Sequence, residues 1–93
     1  MRFKEGDYVK VRSWKDMENE FGINDFGEIP CSWTFIDDMR HLCGQILYID
    51  RVFESYYIIM ESNKKCTCFS ISDDMLELRT YSKEEFEQQE STR

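Results

Sequence analysis

Hydrophobic alternation with period two opens the chain. In Tyr8-Val9-Lys10-Val11-Arg12, Val9 and Val11 share one face and Tyr8, Lys10 and Arg12 the other, which predicts a half-buried strand after the Gly6-Asp7 turn. The period then changes. Trp14, Met17 and Phe21 fall at i, i+3 and i+7; Ser13 supplies an N-cap, Asp16 occupies the capping-box position and Gly22 closes a short helix. Residues 22–33 read as a loop with Asn24, Gly27 and Pro30, unusually rich in apolar side chains: Ile23, Phe26, Ile29 and Trp33. Thr34 with Asp37 repeats the capping pattern, and Phe35, Met39 and Leu42 predict a second helix that ends at Gly44. Residues 45–53 are β-branched and aromatic and predict a long strand, and residues 56–61 a second one after the two-residue gap Glu54-Ser55. Ser62-Asn63-Lys64 is a turn before a third strand over residues 66–71. Ser72 to Leu76 reads as one helical turn, Glu77 to Thr80 as a closing strand, and Ser82 with Glu85 as a last capping box before a polar, frayed tail over residues 87–93.

This order is strand, two helices, three strands, a helical turn and a strand. The predicted fold class is mainly β (α+β), with five short strands in meander connection. Two segments resemble small SH3-like barrel proteins of bacteria and their phages. One is the opening Phe3-x-x-Gly6-Asp7-x-Val9-x-Val11-Arg12; the other is the closing Phe69-Ser70-Ile71-Ser72-Asp73-Asp74-Met75-Leu76-Glu77. The resemblance covers residues 3–12 and 45–80. It implies a five-stranded SH3-like barrel over residues 1–81, with a two-helix insertion after the first strand at 13–44, followed by a short helical turn and tail at 82–93. Residues 13–44 depart from a minimal barrel, where a loop would stand. The shared residues are turn and core positions, so they speak for fold and leave function open.

Composition narrows the rest. The 93 residues predict one domain, and 41% hydrophobic residues with 15% aromatics supply a core. Residues 1–15 hold five basic and two acidic side chains, net +3; residues 16–93 hold seven basic and seventeen acidic, net −10. The resulting charge of −7 opposes direct binding to nucleic acid or to an anionic membrane. It favours a basic protein partner. No 18-residue apolar run predicts a membrane span, and Met1 to Asp7 lack an apolar leader core, so a cytoplasmic location is expected.

Catalytic signals are sparse. His41 is the single histidine, no serine or cysteine stands in a nucleophile elbow, and the four glycines read as turn or cap residues. Asp37-Asp38 and Asp73-Asp74 are sequence neighbours, which do not face each other on a helical turn; they suit helix first turns, with a bridging cation the other reading. Cys31, Cys43, Cys66 and Cys68 read as small buried hydrophobes or as a zinc site with Cys66-x-Cys68 as one arm and Cys31, Cys43 or His41 as the other. On a strand, residues 66 and 68 point to one face.

Fourteen aromatics exceed what so small a core takes in, so some must face outward. The candidate surface joins Phe26, Trp33, Tyr56 and Tyr57 with Asp37 and Asp38, and one of the adjacent Tyr56 and Tyr57 must point out of the strand. The expected function is a non-enzymatic acidic protein-binding module without a cofactor. Its most concrete form is a phage or mobile-element inhibitor that mimics nucleic acid and blocks a nucleic-acid-handling host defence protein. The alternative is a ligand-binding module that holds a small nucleotide or a zinc ion. An open strand edge leaves pairing with a second copy, a homodimer, open as well.

Overall fold

Strand β1 (Tyr8–Val11) lies inside a four-stranded sheet in the computed structural model, which describes residues 2–61 and 69–91. On one side β1 pairs with β4 (Ile46–Val52), Tyr8 opposite Tyr48 and Lys10 opposite Ile46. On the other it pairs with β6 (Leu76–Tyr81), Tyr8 opposite Tyr81 and Val9 opposite Thr80. β5 (Tyr57–Met60) adds outside β4, giving the order β5-β4-β1-β6 with every pairing antiparallel. Val9 and Val11 turn inward as expected, and Leu47, Ile49, Tyr57 and Ile59 are wholly buried with them. Of the expected third meander strand, residues 66–68 lie outside the described residues. Ile71 meets Tyr57 in an antiparallel bridge, with both backbone bonds made at 2.7 and 3.2 Å.

The segment between β1 and β4 begins as expected. Helix α1 spans Trp14–Phe21; the Asp16 amide donates to Ser13 Oγ at 3.1 Å, and Gly22 ends the helix at φ +77°, a left-handed conformation that glycine takes without steric cost. The second half differs. Thr34 does not cap a helix. Thr34–Phe35 form β3, paired with β2 (Ile29–Pro30) in a small hairpin, and the helical segment is a 3-10 helix over Asp37–Leu42. Ile36 precedes it in an extended conformation and gives it no side-chain cap. The run Thr34-Phe35-Ile36 is β-branched and aromatic, and burying Phe35 as a strand residue wins over the capping pattern.

A 3-10 turn at Asp73–Met75 leads straight into β6, one residue earlier than the sequence suggests. The polar tail is a second correction. Helix α2 runs Lys83–Ser91; the Ser82 and Glu85 capping box closes with two 3.1 Å bonds. Phe86 packs on Tyr8 at 5.0 Å between ring centroids, and the Gln89 amide bonds both the N–H and the carbonyl of Ile46, at 2.9 and 2.6 Å. One long-range aromatic contact and a side chain that imitates a strand partner hold a segment whose own composition is nearly all polar.

The result is a small α+β domain with mostly antiparallel strands and few helices. No closed barrel is found among the described residues, whose strands form the open four-stranded sheet and the separate hairpin. The core is continuous across both parts: Met17, Ile29, Phe35, Met39 and Leu42 from the inserted segment join the inward residues of the sheet, with Ile71, Met75 and Leu76. No helix among the described residues is long and apolar enough to cross a membrane.

Candidate functional site: an aromatic and acidic surface

Arg12 sets the insertion against the sheet. Its Nε donates to Asp16 Oδ2 at 2.7 Å, one terminal nitrogen to Glu20 Oε1 at 2.6 Å and the other to the carbonyl of Asp74 at 2.9 Å. The hydrogen bond to Asp16 chiefly raises the Arg12 pKa against the opposing effect of burial, and it lowers that of Asp16. One side chain thus ties β1, α1 and the turn before β6 together. The sequence pattern had marked Arg12 only as an outward strand residue.

Asp74 makes the second tie. Its Oδ2 accepts from the amide and the hydroxyl of Ser32, both at 2.8 Å, and its Oδ1 accepts from the Ser72 hydroxyl. Burial alone would raise this carboxyl, but the bonds from Ser72 and Ser32 outweigh it and the pKa lies below the ordinary carboxylate value. Asp73 accepts from the hydroxyl of Tyr57 and the backbone amide of Arg2. The Asp73-Asp74 pair therefore acts as two separate latches.

The Ser32 latch positions Trp33. The indole Nε1 donates to the Ser55 carbonyl at 3.0 Å and its ring meets Tyr56 edge-on at 5.1 Å. Tyr56 in turn stacks on Phe53 at 4.8 Å with 17° between the planes. The Phe53 amide closes the β4–β5 turn on the Tyr56 carbonyl at 2.9 Å, so the two rings come from the same tight connection. Trp33 and Phe53 are each 40% exposed. Phe53 was absent from the sequence-derived surface; a large apolar ring beside a two-residue hairpin gap was the signal that pointed to it.

Tyr57 is not part of this surface. It is wholly buried, its hydroxyl accepting from the Phe3 amide at 3.0 Å and donating to Asp73. Burial, then the Asp73 bond, push its pKa up to about 12. The alternation rule placed one of the tyrosines outward, and it is Tyr56. Asp37 and Asp38 are exposed and bond within their own 3-10 helix, Asp37 to Arg40 at 3.3 Å and the Asp38 carbonyl to His41 Nδ1 at 3.0 Å.

Phe26 stands apart from the ring cluster, 86% exposed and without a ring partner among the described residues. Its loop is nonetheless tightly built. Asn24 Oδ1 accepts from the amides of Phe26 and Glu28 at 2.9 and 3.0 Å, the Asn24 amide donates to the Glu28 carbonyl at 2.9 Å, and Gly27 turns at φ +75°. The chain covers several other rings with its own cations, Arg40 over Trp14 at 4.1 Å and Arg79 over Tyr81 at 3.9 Å among them. None lies over Phe26, Trp33, Phe53 or Tyr56 among the described residues.

Charge follows the same boundary. Residues 16–39 contain seven carboxylates and no lysine or arginine, while the rest of the chain has twelve acidic and twelve basic residues. Residues 16–39, within the inserted segment, therefore sum to the whole net charge of −7. Arg12 and Arg40 pair with Asp16, Glu20 and Asp37; Glu18, Asp25, Glu28 and Asp38 have no ion pair among the described residues.

Other chemistry is thinly supported. Cys31 and Cys43 are half-buried, and burial chiefly pushes the Cys31 thiol up to about 12 and raises that of Cys43, so neither is a ready thiolate. Cys66 and Cys68 lie outside the described residues. Among the described residues no group of three His, Cys, Asp or Glu side chains is placed to hold a metal. A cleft of about 570 Å³ between α1 and β6 sets Arg2 and Arg12 against five carboxylates, a lining that disfavours a nucleotide phosphate. At its rim β6 shifts register against β1 around exposed Leu78, and such a bulge blunts an open sheet edge.

Comparison of the chain with protein-family models, curated proteins and solved structures finds no match. What the domain does is therefore argued from its own geometry.

Proposed function

We propose that the chain is a non-enzymatic, acidic protein-binding module on an SH3-like barrel, with the inserted segment as its recognition element. The strand order β5-β4-β1-β6, the Tyr57–Ile71 bridge and the single 3-10 turn before the last strand support the barrel reading. The observation that carries the binding reading is the coincidence of charge and exposed rings. The segment holding the whole net charge also displays Phe26 and, against the β4–β5 turn, Trp33. Exposed aromatics are the residue type that anchors interfaces, and the carboxylates around them select a basic partner and speed its encounter. The partner class that fits is a nucleic-acid-handling protein, whose basic surface would take the carboxylates in place of phosphates. An inhibitor of a host defence protein, made by a phage or mobile element and acting in the cytoplasm, is the biological form of this reading.

The test is affinity capture from a bacterial lysate with identification by mass spectrometry, run in parallel with wild type and two variants. One variant is F53S/Y56S and the other D25N/E28Q/D38N. The expected result is retention of a basic nucleic-acid-binding protein by wild type, its release by added DNA, and its loss from both variants. Identical captures on all three baits, or captures that DNA does not release, would overturn the reading.

A further inference from the structure

We infer that the Asn24–Glu28 loop is a preformed anchor in which Phe26 stands in for an unstacked base, so that the partner is a protein that pockets or stacks single bases rather than one that reads intact duplex. The inference rests on the proposed binding function and names its partner class. Three observations carry it.

The first is the ring itself. Phe26 is the most exposed large apolar side chain described, at 86%, with no ring or cation stacked on it among the described residues. A phenyl ring is a six-membered planar π-system of pyrimidine size. Base-stacking platforms and base pockets bind such faces with little sequence preference, because every base has one. Duplex readers work differently: they contact base edges inside the grooves, where a protruding ring has no counterpart.

The second is preorganisation. An exposed ring on a slack loop would have to be ordered on binding. Here one asparagine side chain already holds the amides of Phe26 and Glu28, and the Asn24–Glu28 and Gly27–Asn24 backbone bonds, at 2.9 and 3.1 Å, close the turn. The cost of fixing the loop is met on folding, and the contact energy goes to binding.

The third is the flanking charge. Asp25 and Glu28 stand on either side of Phe26 in the chain, and neither has an ion pair among the described residues. A nucleotide swung out of a strand is likewise a ring between two anions. The ring cluster at Trp33, Tyr56 and Phe53 lacks this arrangement; its rings stack on one another and cannot enter a pocket singly.

The test is displacement of a fluorescent oligonucleotide, read by polarisation, from three purified proteins: an OB-fold single-strand binder, a base-flipping glycosylase on single-stranded substrate, and a helix-turn-helix duplex reader. Wild type should displace the oligonucleotide from at least one of the first two and leave the duplex reader loaded. F26A should be at least tenfold weaker, and F26W should restore most of the effect. Because Phe26 touches so little, F26A should melt with wild type, which separates lost binding from lost folding. If F26A displaces as well as wild type, the anchor is overturned while the acidic module stands. Displacement of all three proteins alike would mean bulk charge alone and would likewise overturn the anchor. If wild type displaces the oligonucleotide from none of the three, the anchor is overturned, and the lysate capture decides the acidic module separately.

Discussion

Between Asp16 and Met39 the chain carries seven carboxylates and no lysine or arginine; outside those limits it carries twelve acidic and twelve basic residues. The rest of the chain is thus electrically balanced, and this stretch between β1 and β4 is not. The two also differ in what they hide. The sheet strands bury residues such as Val9, Val11, Leu47, Ile49, Tyr57 and Ile59, whereas the insertion buries Met17, Ile29, Phe35, Met39 and Leu42 while leaving Ile23 and Phe26 46% and 86% exposed. Selection for folding alone gives no reason to keep large apolar residues on the outside of a segment whose inner face already completes a core. The difference separates two jobs within one stretch of chain: its inner side is structure, and its outer side is available for recognition.

This division breaks if the insertion is merely appended. The decisive substitution is Phe35→Ala, which empties a wholly buried site next to Trp14, whose ring lies 5.9 Å from that of Phe35. A well-packed phenylalanine removed in this way costs about 3–5 kcal/mol. Urea denaturation followed by far-UV circular dichroism should show the whole domain losing that stability in one transition. Loss of the insertion alone, with the sheet still melting at the wild-type midpoint, would show the two parts to be independent.

Arg12 is the electrostatic form of the same coupling. Arg12→Ala removes bonds to Asp16, Glu20 and the Asp74 carbonyl at once and should cost about 1–2 kcal/mol, the solvent-exposed carboxylates keeping the figure modest. Arg12→Lys should recover little, because an ammonium cannot reproduce the forked geometry. A thermal melt in low and in high salt checks this: the deficit of the alanine variant should shrink as salt screens the pairs that wild type keeps.

Within the sheet, Tyr57→Phe removes one hydroxyl that serves both the Phe3 amide and Asp73, and should cost about 1 kcal/mol at neutral pH. Its pH dependence is sharper. Tyr57 loses its proton near 12 in the folded chain against an ordinary 10, so between those values the folded state holds the extra proton. Its contribution is complete below pH 10 and declines as pH rises toward 12. Cys31 acts in the same sense from its ordinary 9 up to about 12. Stability measured by urea titration from pH 8 upward should therefore fall for wild type, with a shallower fall in Tyr57→Phe above pH 10 and in Cys31→Ala above pH 9. A parallel decline in all three would assign the alkaline loss to other groups.

How much of this was legible beforehand depends on the range of the interaction that decides each feature. Locally encoded features read correctly: the Ser13 cap, the Gly22 stop, the Ser82–Glu85 box and the inward face of β1. Thr34-x-x-Asp37 carries the same local cap signal, yet Phe35 is drawn into the core as a strand residue, and only tertiary burial decides between the two. Gln89 shows the converse. Nothing in a polar tail announces that one amide will occupy the backbone of Ile46, because the vacancy belongs to a strand 43 residues away. The candidate surface was half legible for a similar reason. An excess of aromatics implied exposed rings, and Trp33 and Tyr56 do meet at the surface, but Phe53 joins them only through the hairpin, and Tyr57 leaves them because the strand turns it inward. The charge boundary was visible in the sequence all along and acquired meaning only when the insertion had limits.

The smallest expected effect tests the outer side of the insertion most directly. Phe26→Ala and Phe26→Ser should each change the free energy of unfolding by no more than about 0.5 kcal/mol, since the ring gives up almost no buried area. The serine variant should, if anything, gain slightly, because an exposed apolar ring contributes nothing to a folded monomer. Asn24→Ala is the informative companion. It leaves the ring in place and removes the acceptor for the Phe26 and Glu28 amides, so it should cost about 1 kcal/mol and loosen the loop. Amide hydrogen exchange at Phe26 and Glu28 reads that loosening. A stability loss in the Phe26 variants as large as that of Asn24→Ala would mean the ring packs against the domain after all. The insertion's outer side would then be structure too, and the contrast between the two regions would disappear.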